Sequence, residues 1–198
     1  ATWNTTALTN TRGTFSGCKA FNQPVNHFKM GNVWNMEFMF NGCEIFNQPL
    51  DAWDVKNATT LASTFNSAYV FNQDISMWNT GKVTTMSQTF CNAYAFNSAL
   101  NTWNVSKVVQ FDGTFKGTRA FNQPLNSWVT SSGTAFWEMF LDARAFNQDI
   151  NSWDMTKATS IGRMFAGTWA FDKPLNNWTL SSLTLVWGCF YQIGRAHV

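Results

Sequence analysis

Seven tryptophans, Trp3, Trp53, Trp78, Trp103, Trp128, Trp153 and Trp178, fall in a strict 25-residue register, and Phe28 fills the one remaining place. Twelve residues further on every unit carries a phenylalanine: Phe15, Phe40, Phe65, Phe90, Phe115, Phe140, Phe165 and Phe190. Six residues beyond lies a second column, Phe21, Phe46, Phe71, Phe96, Phe121, Phe146 and Phe171, and no insertion breaks the register. Units this short cannot bury such side chains alone, so each must stack on the next. The chain is therefore expected to be one repeat domain over residues 1–191. Its units are 1–25, 26–50, 51–75, 76–100, 101–125, 126–150, 151–175 and a truncated 176–191. Positions are numbered 1 to 25 within each unit, so the tryptophans occupy position 3.

An aromatic content of 17% with only 12% charged residues excludes a disordered chain, which lacks the apolar surface to fold. A net charge of +2 on scattered Lys and Arg gives no field that would gather nucleic acid or an anionic membrane. No apolar run of about 18 residues is present, so direct membrane insertion is not expected either.

Local periods suggest the anatomy of a unit. In Leu100-x-x-Trp103-x-Val105 the last two apolar residues alternate as in a short strand with one buried face. Val83, Met86 and Phe90 then stand at i, i+3 and i+7, the stripe of a helix of two or three turns. Gly17, Gly42, Gly117 and Gly167 are placed to close that helix in a left-handed conformation. Pro24, Pro49, Pro124 and Pro174 fit a turn or strand start. The fold class that follows is α/β: a solenoid of eight coils with short parallel strands on one side and short helices on the other. Asn22, Asn47, Asn72, Asn97, Asn122 and Asn147, with Asp172 in the seventh place, are expected to form an asparagine ladder that satisfies backbone groups beside the buried phenylalanines.

Units of the form N-x-W-N-V-S-K-V…F-N-Q-P-L, as in residues 101–125, resemble the repeats of BspA-like, leucine-rich-repeat-like bacterial surface proteins and lipoproteins. The likeness covers residues 1 to about 191. It implies an extracellular or cell-surface solenoid used in adhesion or protein contacts, with no catalytic residues and no cofactor. Two units depart from the pattern. Unit 2 has Phe28 for Trp, and unit 6 reads Val129-Thr-Ser-Ser-Gly133, where Gly133 lacks the side chain that Val83 and Val108 would bury, so Phe136 or Trp137 is expected to compensate. Residues 192–198 match no unit and resemble translated sequencing-adapter sequence; the lack of polar capping units implies a longer natural chain.

Catalysis finds little support. His27 is the only histidine outside the tail, and Asp54 and Asp154 lie four coils apart, about 19 Å at roughly 4.8 Å per coil, against the roughly 5 to 9.5 Å of glycosidase pairs. Cys18, Cys43, Cys91 and Cys189 form no Cys-x-x-Cys pair, so no metal site is expected. The candidate binding row is Tyr69, Tyr94, Arg119, Arg144 and Trp169, expected to be exposed after the small residues that end each helix. Aromatic and planar Arg groups at constant spacing suit a protein or glycan ligand; the alternative is a spacer whose stacked side chains merely cover the coil edges. A second row, Lys56, Lys82, Lys107 and Lys157, is read as protecting exposed strand regions from aggregation. A third, Thr9, Thr59, Thr84, Thr134, Thr159 and Thr184, would cap helices, with ice binding as a remote alternative. Cys18 and Cys43 share a column in adjacent coils, compatible with either a disulfide or stacked thiols. Asn4, Asn57, Asn104 and Asn177 begin glycosylation sequons, which chance readily supplies in so Asn- and Thr-rich a chain.

Overall fold

The computed structural model describes residues 3–193. Each 25-residue unit is one coil stacked on the next, but the secondary structure differs from the expected α/β solenoid. The described residues contain no helix, and their only sheet pairing is one isolated parallel bridge per interface, from Asn10↔Asn35 to Ser160↔Leu185. The Trp-x-Val segment expected to be the strand is unpaired backbone between two turns, and the bridge falls at position 10 instead.

The stretch expected to be helical is a run of overlapping β-turns. In unit 1 the Thr14, Ser16 and Cys18 N–H groups donate three residues back, to the carbonyls of Thr11, Gly13 and Phe15. The alternate N–H groups, of Thr11, Gly13, Phe15 and Gly17, donate instead to Asn35, Glu37, Met39 and Asn41 of the next coil at 2.7 to 2.9 Å. A helix would need right-handed dihedrals throughout and would send each N–H four residues back within the coil. Here position 13 is left-handed in every unit, including Phe38, Ser63, Gln88, Glu138 and Arg163, and so is position 17. The glycines at 17, 42, 117 and 167 are left-handed as the sequence suggests, with φ of +67° to +75°, but they close β-turns rather than helices. The non-glycine residues at these positions, each disfavoured by about 1–2 kcal/mol, are held there by the main-chain bonds on both sides.

Direct main-chain bonds between coils run only from position 9 to position 20 among the described residues; around the rest of the coil, side chains span the interface. The asparagine ladder is one such device. The Oδ1 atoms of Asn22, Asn47, Asn72, Asn97, Asn122 and Asn147 each accept the N–H of the same position one coil on, at 2.8 to 3.1 Å. Gln48, Gln73, Gln123 and Gln148 donate to the same oxygens. These residues are half-buried or exposed, so the ladder edges the core instead of lying inside it. The indoles are another: Trp53, Trp78, Trp103, Trp128, Trp153 and Trp178 donate from Nε1 to a carbonyl 28 residues back.

The aromatic columns stack as ladders of nearly constant spacing. Successive rings at position 15 are 5.5 to 5.8 Å apart. At position 21 the spacing is 5.8 to 6.1 Å. Stacked indoles at position 3 are 6.0 to 6.1 Å apart.

Unit 6 keeps its packing by substitution. Phe136 is fully buried, stacks on Phe111 at 5.0 Å, and lies where a side chain at Gly133 would be, with its ring 2.5 Å from an ideal Cβ. Trp137 instead covers Gly162 of the next coil. The threonines have no helix to cap. Thr59, Thr84, Thr159 and Thr184 donate from Oγ1 to the position-9 carbonyl of the preceding coil at 3.0 to 3.2 Å, an interaction that links coils.

Cys18 and Cys43 are free thiols, with Cys18 exposed and Cys43 buried. Cys43 Sγ donates to the Phe15 carbonyl at 3.1 Å, the same oxygen that accepts the Cys18 N–H at 3.0 Å, so the Cys43 side chain reaches the neighbouring coil beside Cys18. At alkaline pH, where the buried Cys43 thiol begins to ionise, oxidised glutathione is expected to join them by two exchanges, a mixed disulfide at Cys18 with release of one glutathione and then attack by Cys43 with release of the second, stabilising the first two coils by about 3 kcal/mol. Thiol titration should then show a loss of two free thiols that Cys18→Ser abolishes; an unchanged count would refute the pairing.

Candidate functional site

The candidate row occupies position 19, which the backbone turns outward. Position 18 is buried in the interior coils, as Cys43, Ala68, Ala93, Thr118, Ala143 and Thr168, and position 21 carries the second phenylalanine ladder. Position 19 between them faces solvent, and the bonds from the Ala95 and Ala120 N–H groups to the Tyr69 and Tyr94 carbonyls hold successive row members one coil step apart.

The structure brings the row together as a set of stacked pairs. Tyr69 and Tyr94 stack at 4.8 Å with planes 3° apart, and the Arg119 guanidinium lies 4.0 Å from the Tyr94 ring centroid. Arg144 lies 4.7 Å from the Trp169 centroid. Arg119, Arg144 and Trp169 are exposed, the last at 56%, whereas both tyrosines, expected to be exposed, are half-buried because each ring covers its neighbour. Lys19 and Glu44 occupy the same position in units 1 and 2 and pair at 3.0 Å, extending the row toward the N-terminal coil. Their signal was present in the register itself, as position 19 of two further units. The Glu44 carboxylate, by hydrogen bond and then by charge, holds the Lys19 ammonium above its ordinary range.

Stacking breaks once, between Arg119 and Arg144. A cleft of about 110 Å³ opens there, lined by Asn92, Tyr94, Gly117, Arg119, Asp142 and Arg144. Of the main-chain donors around it, the Gly117 N–H donates to Leu141, the Ala120 N–H to Tyr94 and the Asp142 N–H to Ala166, whereas the bond from position 20 to the position-19 carbonyl of the preceding coil is not made between Ala145 and Arg119.

Other polar groups are engaged within and between coils. Asp54 accepts the Lys56 N–H and pairs with its Nζ at 2.7 Å, and Asp154 accepts the N–H and hydroxyl of Thr156. These hydrogen bonds hold both carboxyls below the usual range. Lys56 stands at position 6, one place off the other three lysines, and Lys82 donates to Asn57 at 2.6 Å. Glu138, nearly buried, is bracketed by Lys116 at 2.5 Å and Arg163 at 2.8 Å. Burial pushes the Cys43 thiol up to about 12 and the Cys189 thiol up to about 11, so both are held protonated at neutral pH. Among the described residues no group of three His, Cys, Asp or Glu side chains is placed to hold a metal ion, and no helix is long and apolar enough to cross a membrane. Residues 194–198 of the expected non-repeat tail lie outside the described residues.

Comparison with known proteins gives one match. The family described as "Mycoplasma protein of unknown function, DUF285" matches residues 1–102 and 92–196, two overlapping tandem copies that together span the repeats. No curated protein and no solved structure matches the chain.

Proposed function

We propose, for a chain that belongs to the DUF285 family, a non-enzymatic role as a cell-surface repeat module that binds a protein or glycan ligand through the position-19 row. The observation that carries this reading is the row itself: two stacked aromatic–guanidinium sets, held at fixed spacing on a closely bonded backbone, flank an open cleft. Side chains already ordered by stacking lose less rotamer freedom on binding, and Tyr, Trp and Arg are the residues that anchor interfaces. The likeness of the W-N-V and F-N-Q-P-L motifs to BspA-like surface repeats supports the extracellular location.

Binding on a glycan and protein array is expected to fall about thirtyfold or more in Tyr94→Ala, Arg119→Ala and Arg144→Ala, matching the roughly 2 kcal/mol or more of an anchor residue. Ligands retained by all three variants would remove the row from the reading. A second reading, a structural spacer in a longer surface protein, draws on the mutual cover of Tyr69 and Tyr94 and on the Lys19–Glu44 pair, which spend side-chain contacts within the row. It predicts no array binding by the unaltered chain. For the threonine row, hydroxyls already committed to neighbouring carbonyls leave few donors for ice, and assay of the purified chain is expected to show no thermal hysteresis.

A further inference from the structure

Four arginines lie among the described residues, and two of them are paired: Arg12 with Glu37 at 2.8 Å and Arg163 with Glu138 at 2.8 Å. Arg119 and Arg144 form no ion pair, and they stand one coil apart on the same cleft. Each guanidinium lies over an aromatic ring, Tyr94 or Trp169, and neither pairs with a carboxylate of the protein, so its N–H fork remains to meet a carboxylate in a bidentate pair.

We infer that this cleft binds the carboxylate of an acidic saccharide, a uronic-acid unit, with Arg119 and Arg144 as its cationic contacts; this rests on the row being a binding surface. The lining chemistry distinguishes this ligand from other anions. Asp142 and Asn92 share the cleft, so its formal charge is +1 and it presents oxygen acceptors beside its cations. A single carboxylate balances that charge, and the hydroxyls of the same sugar ring donate to the Asp142 and Asn92 oxygens. A dianionic phosphate brings twice the charge that the cleft balances and at most one hydroxyl donor for the Asp142 and Asn92 oxygens. An acidic peptide side chain brings its carboxylate with no hydroxyl beside it for the Asp142 and Asn92 oxygens.

Titration calorimetry with an oligouronate, its carboxyl-reduced neutral counterpart, inorganic phosphate and polyglutamate separates these cases. The oligouronate is expected to bind, more weakly as salt rises, and at least tenfold more tightly than the other three. Arg119→Gln and Arg144→Gln are each expected to lose tenfold or more at an unchanged unfolding temperature. Should either variant unfold, Arg119→Lys or Arg144→Lys, which keep the charge without the fork, must show the loss. Equal binding of the neutral oligosaccharide, of polyglutamate or of phosphate, or indifference to the arginines, overturns the inference. If uronates fail while another array ligand still depends on Tyr94, the inference falls and the binding-row reading stands; if no ligand depends on the row, both fall.

Discussion

Replacing Phe90 by alanine is expected to lower the unfolding free energy by about 3 to 5 kcal/mol, the usual loss for a fully buried ring. The ring has no exposed surface and lies 4.0 Å from Phe96 in its own coil, 5.7 Å from Phe65 before it and 5.8 Å from Phe115 after it. Its removal therefore loosens three coils at once, and in a stack where each unit contacts only its neighbours nothing distant makes up the loss. Phe190 occupies the same position at 50% exposure, with one stacking neighbour, Phe165 at 5.8 Å. Phe190→Ala should cost only about 1 kcal/mol, in proportion to the apolar area it keeps from water. Guanidinium denaturation of the two variants tests the contrast, and equal losses would show that the ladders do not carry the core.

Gly133→Val is expected to destabilise the protein by about 1 to 3 kcal/mol, although it restores the residue found at position 8 in Val33, Val83 and Val108. An added Cβ would meet the Phe136 ring at 2.5 and 2.9 Å and Phe111 at 3.1 Å, and both rings are fully buried without room to withdraw. Phe136→Met brings position 11 back to the methionine of Met36 and Met86, and alone it should leave a cavity. Together the two changes should cost less than the sum of the single losses, with a coupling of about 0.5 to 3 kcal/mol in a double-mutant cycle. Additive losses would mean that Gly133 and Phe136 do not share one volume.

The candidate site was partly legible. Tyr69, Tyr94, Arg119, Arg144 and Trp169 share a position that buried neighbours on both sides force outward, and the register alone locates it. Their grouping was not legible. Whether Arg119 turns toward Tyr94 or toward Arg144 is a choice of rotamer, made by the ring beside it, and that choice opens the cleft.

The sequence by itself determined the 25-residue coil, the three aromatic ladders, the asparagine ladder and the left-handed glycines at 17, 42, 117 and 167. Each of these is a side-chain type or a backbone freedom repeated in register, and stacking makes any such repeat structural. Only the tertiary structure decided between helix and turns. Val83, Met86 and Phe90 bury one stripe in either case, since a helix and a chain of overlapping β-turns both return a side chain to the same face after three or four residues. What separates the two is where each N–H finds its carbonyl. Here the alternate donors find it on the next coil, at 2.7 to 3.0 Å from Met86, Gln88, Phe90 and Asn92 to residues 110, 112, 114 and 116. That partner lies about 24 residues away in sequence, where no local period reports it.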